Sequence, residues 1–164
     1  MKKVWIGLLI ALDVVFVDQV SKNLILNILS QNNGIIEVNS FFNLVTAWNT
    51  GVSFSMFNNL GGAGVYILSA FALSVVGFLF YWLQKEEKKI VQIALGMVIG
   101  GAIGNVIDRL LIGAVFDFLD FHYGTYHWPA FNVADSFICL GAVIIVWEGL
   151  FCKTNKCVSS SKEE

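Results

Sequence analysis

The hydrophobic positions of the chain fall into four long runs, which more polar stretches separate. The runs cover about residues 4–28, 65–83, 90–107 and 133–151. A helix that crosses a bilayer needs roughly 17–25 mostly apolar residues, so the pattern predicts four transmembrane helices. The first run is the weakest of the four, because Asp18, Gln19 and Lys22 interrupt its second half.

The stretches between the runs predict a small sheet beside these helices. Residues 29–64 and 110–132 form two loops without Lys or Arg. In the first loop, apolar and polar residues alternate between Asn and Gly turn signals, which is typical of short strands. Its aromatic residues suit a membrane surface; they are Phe41, Phe42, Trp48, Phe54 and Phe57. An irregular amphipathic loop is the alternative.

Composition places the chain among integral membrane proteins. Hydrophobic residues make up 57% of the 164 residues and charged residues 13%, whereas a soluble domain has roughly 45–50% and about 25%. We therefore expect one membrane-embedded all-α domain over residues 1–164, with a polar, disordered tail at about 153–164. A net charge of −2 argues against a nucleic-acid partner, because no basic patch is present.

The basic residues predict the orientation in the membrane. Eight of the ten lie at the N-terminus, between the second and third runs, or in the C-terminal tail; they are Lys2, Lys3, Lys85, Lys88, Lys89, Lys153, Lys156 and Lys162. Positive loops stay in the cytoplasm, so both termini are expected there and the two loops outside. The N-terminus resembles a signal peptide, but no small-x-small cleavage site follows, and we interpret it as an uncleaved first helix.

Glycines predict a contact surface on the third helix. Gly96, Gly100 and Gly104 recur every four residues and so share one helical face. Small residues on a transmembrane helix allow the backbone of another helix to approach closely. We expect this face to pack against a neighbouring helix.

Two aspartates near the outer ends of the runs are the strongest candidates for chemistry. Asp117 lies in the apolar segment VFDFLDF, where a charge without a partner is costly. Asp135 lies at the start of the fourth run. Two carboxyl groups held close together share one proton, so one can take a proton from water while the other protonates a carbonyl oxygen. The alternative for Asp135 is helix capping together with Asn132.

Polar residues in the first and third runs are candidates for supporting this pair. Asp18 and Lys22 are four residues apart; they predict either an ion pair with Lys22 extending outward or a part in the site, and both roles are compatible. Asn105, Asp108 and Arg109 share one helical face. We interpret them as a buried clamp in which Asp108 pairs with Arg109.

The remaining ionisable residues of the second loop have simpler interpretations. Asp120 is expected to be a solvated loop residue, and His122 and His127 to be interfacial. The histidines show no zinc-type spacing, and the three cysteines show neither metal spacing nor a disulfide framework. Two histidines and several carboxylates could in principle bind a metal, but the sequence shows no spacing typical of a metal site.

Five short motifs give the chain a resemblance to a known family. They are Asp18–Lys22 as D-x-x-x-K, Asn49–Phe54 as N-x-G-x-A-F with Ser53 where Ala is usual, Gly100–Arg109 as G-G-x-x-G-N-x-x-D-R, Val115–Phe118 as V-x-D-F, and Phe131–Asp135 as F-N-x-A-D. In this order they resemble the bacterial lipoprotein signal peptidases, or signal peptidase II. One motif alone would be unspecific, whereas five in the family's order are highly specific.

The resemblance implies four transmembrane helices with an outer-face β-cradle, in the inner membrane of a bacterium. It implies an aspartyl endopeptidase that removes the signal peptide of diacylglyceryl-modified prolipoproteins just before the lipidated cysteine. Asp117 and Asp135 match the catalytic pair. The matching support positions are Asp18, Lys22, Asn49, Gly51, Asn105, Asp108, Arg109, Asn132 and Ala134. The resemblance also implies no metal or organic cofactor, contact with membrane lipids, inhibition by globomycin, and a monomer.

Two other functions are compatible with intramembrane polar residues. A small transporter or proton relay would line a path with Asp, Asn and Arg, but the charges here gather at one membrane face. A structural subunit would use the same groups only to hold helices together. Cleavage of a lipidated precursor by the purified protein would separate the peptidase from both.

Overall fold

The computed structural model describes residues 4–51 and 63–151. Within them the chain forms four long helices and four strands. In chain order these are α1 Trp5–Ser30, β1 Ile35–Asn39, β2 Phe42–Asn49, α2 Ala63–Lys85, α3 Lys89–Ile112, β3 Val115–Tyr123, β4 Tyr126–His127 and α4 Val133–Phe151. The predicted disordered tail at 153–164, the terminal basic residues and the expected interfacial residues Phe54 and Phe57 lie outside the described part.

Among the described residues, three helices are long and apolar enough to cross a membrane. These are α2, α3 and α4. The first helix, α1, is longer than any of them, with 26 residues, but it carries Asp13, Asp18 and Lys22 and is not one of the three. The structure therefore supports a mostly helical membrane protein, and the predicted fourth crossing stays a prediction.

The third helix, α3, is the centre of the bundle and packs against the other three helices. A Cβ added at Gly100 would lie 2.5 Å from the backbone oxygen of Ala11 on α1. One added at Gly101 would lie 2.5 Å from the backbone oxygen of Ala134 on α4. The predicted glycine face is thus confirmed, and a second glycine contact serves α4.

The four strands form one antiparallel sheet in the order β1-β2-β3-β4. The strands predicted for the first loop are confirmed over Ile35–Asn49, where the irregular-loop alternative is wrong; the rest of the predicted segment, from residue 52, lies outside the described residues. The second loop contributes β3, which pairs with β2 in a register that sets Ala47 opposite Asp117. Phe116 and Phe118 of β3 pack with Leu29 of α1, so apolar contacts fix the sheet on the end of the helical bundle.

The third helix continues beyond its predicted end near residue 107. It runs to Ile112 and ends at Gly113, whose φ of 82° is left-handed and whose N–H donates to the Arg109 carbonyl. A glycine in this conformation is a common helix stop. Asp108 and Arg109 are therefore helical residues, and their side-chain directions are set by α3.

Candidate active site

Lys22 is at the centre of a buried ion cluster between α1 and α3. Its Nζ lies 2.8 Å from Oδ2 of Asp18 and 2.8 Å from Oδ2 of Asp108. It also donates to Oδ1 of Asn105 at 3.1 Å. Lys22 is only 5% exposed, so the alternative in which it extends outward is wrong: two buried carboxylates need its charge inside the bundle.

Asp108 pairs with Lys22 and not with Arg109, so the partner assigned to Asp108 in the predicted clamp is wrong. Asp108 also accepts a hydrogen bond from the backbone N–H of Phe116 at 3.3 Å, which ties the end of α3 to β3. Arg109 donates to the backbone carbonyl of Asn105 at 3.4 Å. Its guanidinium acts electrostatically on both Asp135 and Asp117, and it therefore borders their site.

Asp117 lies on β3, is 2% exposed, and receives hydrogen bonds from two side-chain amides. Asn49 of β2 donates to Oδ2 at 3.0 Å, and Asn132 donates to Oδ1 at 2.7 Å. Burial raises the pKa of Asp117 to about 6, and the nearby charge of Asp135 adds to the rise, while the two amide hydrogen bonds oppose it. The carboxyl group can therefore change its protonation state near neutral pH.

Asp135 lies in the first turn of α4 and forms a reciprocal cap with Asn132. The N–H of Asp135 donates to Oδ1 of Asn132 at 3.0 Å, and the N–H of Asn132 donates to Oδ2 of Asp135 at 3.2 Å. This is a capping box, as the capping alternative predicted. Capping leaves Oδ1 of Asp135 free for a further contact, and Asn105 donates to it at 2.8 Å.

Two asparagines join the ion cluster to both aspartates. The amide of Asn132 that donates to Asp117 also donates to Oδ1 of Asn105 at 3.2 Å. The oxygen of Asn105 thus accepts from Lys22 and Asn132, while its nitrogen donates to Asp135. Each of the four carboxylate oxygens of the pair has an N–H donor, so both carboxyl groups are held in fixed orientations.

Small residues allow this network to form at the helix contacts. Asp18 accepts a hydrogen bond at 2.9 Å from the N–H of Ala134, which is fully buried. Gly51 has a φ of 79°, and its N–H donates to Oδ1 of Asn49 at 2.8 Å. A positive φ favours glycine, and this turn orients the Asn49 amide toward Asp117.

A cleft of about 310 Å³ opens onto Asp117. Residues of β2 and the loop after it form one side, and the segment between β4 and α4 forms the other. The lining residues are Ala47, Trp48, Asn49, Thr50, Asp117, Pro129 and Ala130. Asp117, although only 2% exposed, is thus part of the wall of this cleft.

The sequence analysis missed Gln19 as a member of the network, and it misassigned Asp120, which lies outside the network. Gln19 donates to Asp108 Oδ1 at 2.8 Å and to Asp18 Oδ2 at 3.2 Å. The sequence feature that could have identified Gln19 is a polar amide next to Asp18 within an apolar run. Asp120 is 5% exposed on β3, so the solvated-loop interpretation is wrong. The alternation in FDFLDF was the missed signal for a strand.

In the described segments, no group of three or more His, Cys, Asp or Glu residues could hold a metal ion.

Comparison with known proteins agrees with this geometry. Residues 10–151 match the family described as signal peptidase (SPase) II. The lipoprotein signal peptidase of Teredinibacter turnerae is 42% identical over 149 residues, which cover 90% of this chain and 87% of that protein. The lipoprotein signal peptidase of Vibrio vulnificus is 48% identical over 116 residues, covering 70% of this chain and 69% of that protein.

Solved structures show the same fold. One described as a bacterial membrane enzyme matches with a TM-score of 0.74 and 29% identity, over 88% of this chain and 92% of that chain. A second with the same description matches with a TM-score of 0.71 and 30% identity, over 96% and 92%. Together with three helices capable of crossing a membrane, these matches indicate a multi-pass membrane protein. The family resemblance inferred from the five motifs is confirmed, and the chain belongs to the signal peptidase II family of membrane aspartic peptidases, which process lipoproteins.

Proposed function

We propose that Asp117 and Asp135 are the catalytic residues and that they activate a water molecule for peptide hydrolysis. The observation that carries this assignment is Asn132, which donates from its side chain to Asp117 and from its backbone to Asp135. A single residue thus orients both carboxyl groups next to the N-terminus of α4. The raised pKa of Asp117, about 6, and the electrostatic effect of Asp135 on it suit a pair that shares one proton.

The proposed reaction needs no covalent intermediate. The ionised carboxylate takes a proton from water as the water oxygen attacks the scissile carbonyl carbon, and the protonated partner gives its proton to the carbonyl oxygen. When the tetrahedral intermediate collapses, the C–N bond breaks and a proton passes to the leaving amine. The pair ends with one proton, as it began, so the rate should depend on pH along a bell-shaped curve.

Within the described residues, neither carboxyl group of the pair is hydrogen-bonded to a cation, although Arg109 acts on both electrostatically. Lys22 contacts Asp18 and Asp108, whereas the direct partners of Asp117 and Asp135 are neutral amides and a backbone N–H. A cation bonded to both catalytic carboxyl groups would favour ionisation of both. The neutral partners orient them while allowing one to remain protonated.

We propose that the substrate is a prolipoprotein signal peptide, cut just before a cysteine that carries diacylglycerol. The relatives are named lipoprotein signal peptidases, and the lining of the cleft beside Asp117 combines the apolar residues Ala47 and Trp48 with polar Asn49 and Thr50. Acyl chains in the bilayer would hold the cysteine at this depth, at about 0.8 kcal/mol per buried CH₂. The scissile bond is then positioned by the membrane as well as by the cleft.

We further propose that α1 is a fourth transmembrane helix. Its 26 residues span roughly 39 Å at about 1.5 Å per residue, and the hydrocarbon core is about 30 Å thick. Asp18 and Lys22 face the bundle, while Trp5, Leu9 and Phe16 are exposed. The distribution of basic residues supports cytoplasmic termini, with the active site near the outer face of a bacterial inner membrane.

The family resemblance supports three further proposals. The protein acts as a monomer in contact with membrane lipids, it is inhibited by globomycin, and it uses no metal or organic cofactor. Globomycin should compete with the substrate for the cleft beside Asp117.

The decisive experiment is an assay of the purified protein on a lipidated precursor in detergent. Mass spectrometry should find one cut, immediately before the modified cysteine. Asp117→Asn and Asp135→Asn proteins that are folded and inactive serve as controls. An intact precursor together with proton flux in reconstituted vesicles would favour the transporter alternative instead.

A further inference from the structure

Asp120 is a buried carboxylate that the catalytic network does not use. It lies on β3, three residues after Asp117, and it does not line the cleft. Asn43 of β2 donates to its Oδ2 at 3.1 Å, and Nδ1 of His127 on β4 lies 3.0 Å from Oδ1 and 2.9 Å from Oδ2. Burial acts to raise the pKa of Asp120, but the hydrogen bonds from His127 and Asn43 outweigh it and hold the pKa below the usual range.

The two partners of Asp120 belong to the strands that carry the two sides of the cleft. Asn43 is the second residue of β2, and the same strand continues to Ala47 and Asn49, which line one side of the cleft. His127 ends β4, two residues before Pro129. A single carboxylate therefore connects the strand of one side to the strand of the other.

Backbone hydrogen bonds attach the Pro129 side of the cleft to β3 before and after its lining residues. The N–H of Trp128 donates to the Phe121 carbonyl at 2.8 Å. Beyond Ala130, the N–H of Phe131 donates to the Leu119 carbonyl at 3.1 Å, and the Phe131 carbonyl accepts from Phe118 at 3.1 Å and from Leu119 at 2.8 Å. Pro129 lies between these two points and has no N–H of its own. The side-chain contact between Asp120 and His127 fixes the segment at the point where it leaves β4.

We propose that Asp120 is a positioning residue that sets the width of the substrate cleft by holding both of its sides through Asn43 and His127. This proposal rests on the proposed function, in which the cleft beside Asp117 takes the precursor. Loss of the contact should weaken binding of the substrate and of the transition state alike, which raises KM and leaves kcat unchanged. The hydrogen bonds of Asp117 and Asp135 do not involve Asp120.

The test compares substitutions at two stacked histidines. The rings of His122 and His127 stack with centroids 4.9 Å apart, and neither ring nitrogen of His122 has a hydrogen-bond partner within the described residues. His127→Phe keeps the ring and removes the contact with Asp120, whereas His122→Phe is the matched control. His127→Asn places an amide nitrogen near the position of Nδ1 and should restore the contact.

Kinetics on the lipidated precursor should show the split between KM and kcat. We expect His127→Phe to raise KM roughly tenfold, equivalent to about 1.4 kcal/mol, with kcat within about twofold of the wild type. His127→Asn and His122→Phe should keep KM near the wild-type value. If His127→Phe does not fold, Asp120→Ala is the second variant; it removes both acceptor oxygens and should raise KM in the same way.

An unchanged KM in a folded His127→Phe protein, whether or not kcat falls, would overturn the positioning role. A rise in KM in His122→Phe as large as that in His127→Phe would also count against it, since ring replacement itself would then be the cause. A wild-type protein that leaves the precursor intact would instead contradict the proposed function, so the two failures are distinguishable.

Discussion

Asn132 donates a 2.7 Å hydrogen bond from its side-chain amide to Oδ1 of Asp117, and this contact joins the start of α4 to the first half of β3. The oxygen of the same side chain caps α4 by accepting from the N–H of Asp135. The two functions use different atoms of one amide. Helix stability and orientation of the proposed catalytic pair can therefore be separated by substitution.

Asn132→Ser should keep the cap and lose the contact with Asp117. Serine is as good an N-cap residue as asparagine, but its hydroxyl is too short to reach both partners. We expect a melting temperature near that of the wild type and clearly lower kcat/KM. Asn132→Ala should lose the cap as well, at a cost of about 1 kcal/mol, which thermal unfolding can measure. Full activity in a stable Asn132→Ser protein would show that Asp117 needs no donor from α4.

The catalytic pair itself is tested by isosteric substitution. Asp117→Asn and Asp135→Asn should each lower kcat at least 10²–10⁴-fold, roughly the contribution of acid–base catalysis. The double variant should be little worse than either single one, because the two groups act as a unit. The measurement is cleavage of a lipidated precursor by purified, folded variants. Retention of more than about a tenth of the wild-type rate by Asp135→Asn, outside that range, would reduce Asp135 to a capping residue.

The sequence was sufficient to predict the helices and the Asn132–Asp135 cap, because hydrophobic runs and capping residues are local signals. Prediction from sequence was less successful where a carboxylate had two possible cationic partners. Asp108 is adjacent to Arg109 in sequence and pairs with Lys22 in space, and only the packing of α1 on α3 decides between them. The prediction of a solvated Asp120 was wrong for a related reason, since the burial of this residue depends on the pairing of β3 with β2 and β4.

Lys22 should be a stability determinant of the bundle. Lys22→Met keeps the aliphatic length and leaves Asp18 and Asp108 buried without their shared cation. Removing one partner of a buried ion pair costs about 3–5 kcal/mol. We expect low yields of folded protein and a strongly lowered melting temperature in detergent.

A matched control for this substitution is Lys88→Met at the other end of α3. Its ion pair with Glu148 has a half-exposed lysine, and surface pairs contribute roughly 0–1 kcal/mol. Equal melting temperatures of the two variants would contradict the central role of Lys22.

The substrate should need its lipid. If acyl chains hold the cysteine at the depth of Asp117, an unmodified precursor loses both membrane anchoring and the proximity that it brings. We expect no appreciable cleavage of the unlipidated peptide under conditions in which the diacylglyceryl form is fully cut. The comparison should use one peptide sequence in both forms and the same detergent. Comparable rates on the two peptides would disprove the requirement.

The raised pKa of Asp117 also predicts a pH-dependent stability. In the unfolded chain this carboxyl group has its ordinary pKa of 3.8, and in the folded protein the pKa is about 6. As pH rises, the unfolded state ionises first, so the stability that neutral Asp117 provides is full below about pH 4 and is lost as pH passes 6. The whole effect is roughly 3 kcal/mol at 1.36 kcal/mol per pKa unit, and about half of it falls between pH 5 and pH 8.

Asp117→Asn should remove this part of the pH dependence, because an amide does not titrate. Intrinsic fluorescence of the five tryptophans can follow thermal unfolding in detergent at pH 5, 6, 7 and 8. We expect the melting temperature of the wild type to fall more between pH 5 and pH 8 than that of the variant, whatever their absolute values. Other titrating groups are common to both proteins and cancel in the comparison. An equal fall in both would mean that Asp117 is ionised in the folded protein already at pH 5, and its proposed sharing of a proton near neutral pH would then be wrong.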